Sequence, residues 1–190
     1  MLLQILLQAQ DVEEIRSAAA ARDASAPVRL PPLPIVAGAW KRDLRTCYDT
    51  QLPVVANQGW RFVNFEVVNG REVYKPGYLA NVTGAVLDVR VRTRFESLPL
   101  ERGVSLSLRF LTSYEHMGSM SFACVRGCVC ANLTLEGHVG TGPAHVSLQH
   151  SVSTPVTQSA ACTLRFRVRN ETASGERKVK LMGVTIRAPI

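Results

Sequence analysis

Aromatic residues are scarce in this chain: Phe, Trp and Tyr together make up 6% of its 190 residues. That shortage excludes the interleaved stacking platforms on which single-stranded nucleic acids are held, and no recognition-module pattern for nucleic acid occurs either. No apolar run approaches the ~18 residues that a membrane-crossing helix needs. The opening Met1-Leu2-Leu3 has no basic lead, its apolar run is broken by Gln4 and Gln8, and acidic residues follow at once, so it does not read as a good signal peptide. If the protein is secretory, its export signal is expected elsewhere, which would make this chain a fragment of something longer. Internal repeats are absent, and no motif calls for a cofactor or a metal.

What is present points outward from the cell. Hydrophobic residues at 46% and charged residues at 19% are ordinary for a folded domain, and 190 residues suit one domain or one domain with an appendage. The net charge of +7 and isoelectric point near 9.5 favour anionic partners in general, because net charge speaks to non-specific association and not to fold. Three tripeptides, beginning at Asn81, Asn132 and Asn170, are glycosylation acceptors without a central proline. Taken with five cysteines they favour a secretory disulfide set over a cytosolic metal site, and an extracellular or cell-wall location.

Taken in order, residues 1–25 read as a helix. Leu2, Leu3, Leu6, Leu7, Val12 and Ile15 fall near one stripe, and the alanine run Ala18 to Ala21 has the strongest helix propensity. A lone helix must lay its apolar face on something, and the last helix of a preceding domain is the preferred reading. Residues 26–46 contain the stiff connector Ala26 to Pro34, which cannot continue a helix. Residues 47–190 are a succession of strands. Trp60 to Val68 leads into the turn Asn69-Gly70. Val73 to Ala80 is interrupted by Pro76-Gly77, which suits a bent edge strand. From Gly84 to Phe95, Ala85, Leu87, Val89, Val91 and Thr93 alternate with Asp88, Arg90, Arg92 and Arg94, the two-residue period of a half-buried strand. Val104 to Phe110 and Met120 to Cys124 alternate likewise around a polar corner at Tyr114, Glu115 and His116, forming either a long hairpin or a corner between two sheets. Further strands are expected at His145 to Val152, Ala161 to Arg169 and Arg177 to Ile186, the last with a phase change at Met182-Gly183 that predicts a β-bulge. About eight short strands without intervening helices mean antiparallel sheets, so the fold class is mainly β, a jelly-roll-like two-sheet sandwich preceded by an N-terminal helix.

Three groups of residues are candidates for chemistry. Cys124, Cys128 and Cys130, with Cys47 and Cys162 as remote partners, form a disulfide set. A zinc site would need His116 or His138 as a further ligand, and the triplet lacks the two close pairs of a strong zinc motif. Cys128 and Cys130 point to opposite faces if extended and are poorly placed to bond each other. Cys162 stands at a core-facing position where Cys124 is one candidate partner; the spacing alone does not fix the connectivity. Tyr114, Glu115 and His116 read first as a hydrogen-bonded structural corner, next as ligand-binding residues, and only last as an acid–base group. Two arginine stripes, Arg90, Arg92 and Arg94 with Arg165, Arg167 and Arg169, would form one cationic panel if their strands are neighbours. Such a panel could grip carboxylates or sulfates bidentately; the preferred reading from the sequence is a solvated face that discourages edge aggregation. Trp40, Trp60, Tyr74 and Tyr78 are more plausibly packing residues than sugar-stacking ones.

The segments CYDTQLPVVANQGWRFVNFEVVNGREVYKPGYLAN, SLRFLTSYEHMGSMSFACVRGCVCANLTLEGH and CTLRFRVRNETASGERKVKLMGVTI resemble the β-rich C-terminal extension of plant and green-algal proteins that carry an SGNH-hydrolase-type (GDSL-like) esterase domain. The resemblance implies that the opening helix is the last of a preceding catalytic domain, which would be the partner of this β-domain. It implies no catalytic residue here. The Gly-Asp-Ser block with its serine nucleophile, the oxyanion-hole blocks and the late Asp-x-x-His of that family have no counterpart in the chain. The expected role is therefore a non-catalytic, structural or glycan-associated accessory domain. A free-standing carbohydrate-binding module is the first alternative, and a hydrolase using Glu115 and His116 the second; the partners to expect are the preceding catalytic domain and, from the basic charge, anionic polysaccharide.

Overall fold

A computed structural model describes residues 44–188 apart from 50, 69 and 141–145. The helix expected over 1–25, Trp40 and nearly all of the 26–46 connector lie outside the described residues.

The alternating segments become eleven strands: β1 (Arg45–Tyr48), β2 (Val54–Gln58), β3 (Arg61–Val68), β4 (Arg71–Ala80), β5 (Val86–Val91), β6 (Val104–Thr112), β7 (Ser119–Arg126), β8 (Leu133–Glu136), β9 (Leu148–Val156), β10 (Cys162–Val168) and β11 (Val179–Arg187). They form two sheets in which every ladder is antiparallel. One has the order β3-β4-β11-β6-β9, with β1 alongside β11; the other has the order β2-β5-β10-β7-β8. The fold is the antiparallel two-sheet sandwich that the alternation predicts. Its core lies where the inward residues meet: Leu87 and Val89 from β5, Leu106 and Leu108 from β6, Phe122 from β7, Leu164 and Phe166 from β10, and Val184 and Ile186 from β11 are all essentially solvent-free. Phe122 and Phe166 face each other across one ladder pair at 5.4 Å between ring centroids, a geometry worth about 0.5–1.5 kcal/mol beyond burial.

Local irregularities have identifiable causes. Between Leu181 and Gly183 the register against β6 slips by one residue. This bulge at Met182 lets Val179, Leu181, Val184 and Ile186 all reach the core although their spacing breaks a strict period of two. The strand carrying Pro76 and Gly77 is not an edge: β4 lies between β3 and β11, and β3 is the edge. Pro76 falls where the β3–β4 register shifts, between the Val63 and Phe65 pairings, so its missing N–H interrupts no regular ladder. Edge tolerance belongs instead to β9, which runs on to Val156 through Pro155. The segment from β6 to β7 is a corner and not a hairpin, because it carries the chain from one sheet to the other.

Two disulfides staple one end of the sandwich: Cys124 to Cys130 and Cys128 to Cys162. Cys162 takes Cys128 and not Cys124, the partner its core-facing position suggested, and Cys130 finds its partner nearby and not at a remote cysteine. Gly127, at φ +77°, turns the chain sharply after β7, and a Cβ there would strike the Ala161 carbonyl. The turn returns Cys130 to Cys124 and sets Cys128 against the start of β10. Cys47 is the unpaired fifth cysteine and is exposed. It sits on β1, opposite Thr185 of β11, in the sheet opposite the one that holds Cys124 and Cys162.

Candidate functional site

The register of the five-stranded sheet decides which arginines share a face. On β10, Thr163 lies opposite Arg90 of β5 and Arg126 of β7, Arg165 opposite Asp88 and Ala123, and Arg167 opposite Val86 and Ser121. Three cross-strand rows result on the outward side. Arg90, Thr163 and Arg126 form the first, Ala56, Asp88, Arg165 and Ala123 the second, and Gln58, Val86, Arg167 and Ser121 the third. The rows from Val86 to Arg90 span four residues, roughly 13 Å along the strand. Small residues in the rows keep the face low, and the arginines rise from it.

Asp88 is the one carboxylate set into these rows. Its side chain is only 9% exposed, and it accepts two parallel hydrogen bonds from Arg165, at 2.8 Å from Nε and 2.7 Å from Nη2. Those hydrogen bonds first, and the Asp88 charge second, push the Arg165 guanidinium above its ordinary value. The fork–fork pair fixes Arg165 and consumes its charge. Arg90, Arg126 and Arg167 are exposed, and among the described residues their side chains have no hydrogen-bond or ion-pair partner. Shallow depressions open at both ends of the face. One of about 200 Å³ is bordered by Arg90, Arg126 and Thr163, and one of about 320 Å³ by Asn57, Gln58, Asp88, Arg165 and Arg167.

The six arginines of the expected stripes are therefore not equivalent. Arg90, Arg165 and Arg167 share the face. Arg92 and Arg94 lie past the end of β5, where both pair with Glu96. Arg169 bonds Thr134 Oγ1 at 2.9 Å and Glu171 at 3.1 Å. Arg126 was missed by the sequence reading: strict alternation with Met120, Phe122 and Cys124 would turn it inward, and only the register shift between Leu164 and Thr163 sets it beside Thr163 on the outward side.

Tyr114, Glu115 and His116 do not join the arginine face. They belong to the corner between β6 and β7, where His116 takes φ +56° and its Nδ1 stands 3.5 Å from Glu176. The corner is tied down by Gly118 N–H donating to Lys178 O at 2.8 Å and Gly137 N–H donating to Gly118 O at 2.9 Å. Among the other candidates, Trp60 is buried and Tyr78 packs against the core, but Tyr74 is 60% exposed. Asn81, Asn132 and Asn170 are all exposed. The sulfurs of Cys124, Cys128 and Cys162 lie within 4.8 Å of one another, yet all three are in disulfides and offer no thiolate to a metal.

No protein-family model matches the chain, and no curated protein matches it. Solved structures of similar shape exist. A CBM36-1 domain of a multidomain xylanase from the hindgut metagenome of Trinervitermes trinervoides superposes at TM-score 0.43 and 8% identity, over 77% of this chain and 99% of that one. The carbohydrate-binding module CBM6cm-2 from Cellvibrio mixtus lichenase 5A, in complex with cellotriose, gives 0.43 and 12%, over 76% and 98%. A family two carbohydrate esterase from Cellvibrio japonicus gives 0.43 and 10%, over 77% of this chain and 34% of that one. At these scores and identities a functional reading has to rest on the chain's own geometry.

Proposed function

We propose that this domain is a non-catalytic carbohydrate-binding module for acidic polysaccharide, held on the outward face of the five-stranded sheet. The observation that carries the reading is the β5–β10–β7 register, which places Arg90, Arg126 and Arg167 on one face, where among the described residues none of the three has a carboxylate partner. Like charges gathered on one face cost stability unless something anionic answers them. Guanidinium groups suit uronate carboxylates and sulfates because they bind bidentately. A low, open face lined by small side chains accepts an extended chain lying along it. Disulfides and exposed glycosylation tripeptides fit an extracellular setting.

The test is affinity electrophoresis in gels containing polygalacturonate, a sulfated galactan or a neutral galactan. Retardation is expected in the two acidic gels and to weaken with salt. Arg90→Ala with Arg167→Ala should weaken it by about tenfold, the equivalent of about 1.4 kcal/mol. Equal retardation by the neutral polymer, or an unchanged double variant, would remove the reading.

A second reading concerns context. On the SYEHMG corner and the cysteine cluster, we propose that the domain serves as the C-terminal accessory part of an SGNH-type esterase and positions that catalytic domain on polysaccharide. A Gly-Asp-Ser block encoded upstream of Met1 is the expected finding, and an upstream region without one would count against it.

A further inference from the structure

A further concavity among the described residues lies on the other sheet. The β3–β4 hairpin curls over β11, so that Glu66 of β3 reaches past the intervening strand to Lys180 at 3.0 Å and Lys178 at 3.8 Å. Gly77 makes this closure possible: a Cβ there would stand 2.7 Å from Leu181 O and 3.1 Å from Lys180 Cε. The result is a cup of about 580 Å³, within the size range of small-ligand sites. Val63, Phe65 and Leu79 supply apolar lining, and Arg61, Arg177 and Lys178 supply cations. Its two carboxylates are already engaged, Glu66 by the lysines and Glu176 by His116 at 3.5 Å. The arginines are not matched in this way. Among the described residues Arg61 has no partner, and Arg177 has only the neutral Asn170 Oδ1, at 3.3 Å.

We infer that this cup is a second binding site, which takes the charged end of a short acidic oligosaccharide. It rests on the proposed carbohydrate-binding reading but uses different residues. The chemistry matches part by part. The apolar lining faces the carbon skeleton of one sugar ring, the held carboxylates accept from its hydroxyls, and the unmatched guanidinium groups bind its carboxylate or sulfate. A cup admits a chain end where the arginine face admits a chain's length. Asn81 stands in the lining, so a glycan attached there would occupy the mouth and compete with the ligand.

The experiment uses the full chain carrying Thr83→Ala, which removes the Asn81 acceptor tripeptide and leaves Asn81 in place. Galacturonic acid trimer and neutral galactose trimer are titrated calorimetrically. Expected is binding of the acidic trimer alone, weakened at least tenfold by Arg61→Gln with Arg177→Gln and less than twofold by Arg90→Ala with Arg167→Ala. Both cup arginines are exposed, and an unchanged melting temperature confirms the fold. The inference is overturned if the acidic trimer fails to bind, if the neutral trimer binds equally, or if the loss follows Arg90 and Arg167 instead. The polygalacturonate gel then shows separately whether the arginine face still holds polymer, so the two failures are distinguishable.

Discussion

The arginine face and the hairpin cup are built from the same materials, charged side chains on antiparallel strands, and differ in how their charges are placed. On the face, every strand of the β5–β10–β7 set rests on the core through Leu87, Phe166 or Phe122, so the outward residues inherit a fixed register. The cup is made by a hairpin that leaves the core. Phe65, Val67 and Tyr74 on β3 and β4 are 55%, 72% and 60% exposed, and Phe65 and Tyr74 stack edge-on at 5.5 Å, mainly on each other. What holds that hairpin over the sheet is polar: Glu66 lying on a lysine whose side chain is fully covered. One site is positioned by packing, the other by a buried ion pair, and the two should fail differently.

The largest effect is expected on the packed side. The Cys128–Cys162 bond closes a sequence separation of 34, and the Cys124–Cys130 bond one of 6. Constraint of the unfolded chain then gives about 4 kcal/mol for the first and about 2 kcal/mol for the second. Serine at both positions of each pair, followed by urea unfolding, should reproduce that ranking. Equal losses for the two pairs would mean that native-state strain and not loop closure sets their contribution.

A smaller and more local effect is expected at the cup. Gly77→Ala forces the hairpin off the Leu181 carbonyl, an overpacking that costs about 1–3 kcal/mol. Binding of galacturonic acid trimer should be lost, and retardation by polygalacturonate retained. Loss of both would show that the two sites are mechanically one.

The same contrast explains what could be read from the sequence. Arg90, Arg165 and Arg167 were legible as one face because β5 and β10 alternate strictly, so that Leu87, Val89, Leu164 and Phe166 declare their inward side; Arg126 was not, because the register shift on β7 breaks the alternation there. The bulge at Met182 was legible for the same reason, as a break in an otherwise regular period. Strands β1, β2 and β8 have four or five residues and are too short to show a period. The disulfide pairing depended on the turn at Gly127, which removes the extended geometry assumed for Cys128 and Cys130. The cup gave no signal. Glu66 and Lys180 are 114 residues apart, and only the twist of the hairpin brings them together. Within its own strand Lys180 occupies an outward position, where a lysine is unremarkable.

Lys180 therefore gives the finest probe of the difference. Burial pulls its pKa below the ordinary 10.5, against the opposing hydrogen bond and charge of Glu66. A lysine depressed in the folded state holds its proton less well there than in the unfolded chain. Between the lowered value and 10.5 the unfolded state binds more protons, so stability gains with rising pH in that window; below it, the full cost of the buried charge is present. Lys180→Met removes this contribution. In a Cys47→Ser background, which keeps the free thiol from exchanging with the disulfides at alkaline pH, the variant should show a flatter rise in stability on approach to pH 10.5 than its parent. Arg167→Met, on the packed side, should leave that slope unchanged. Parallel slopes for Lys180→Met and its parent would mean that the ammonium is hydrated in solution, and that the hairpin is held over β11 by its apolar contacts instead of by the Glu66 pair.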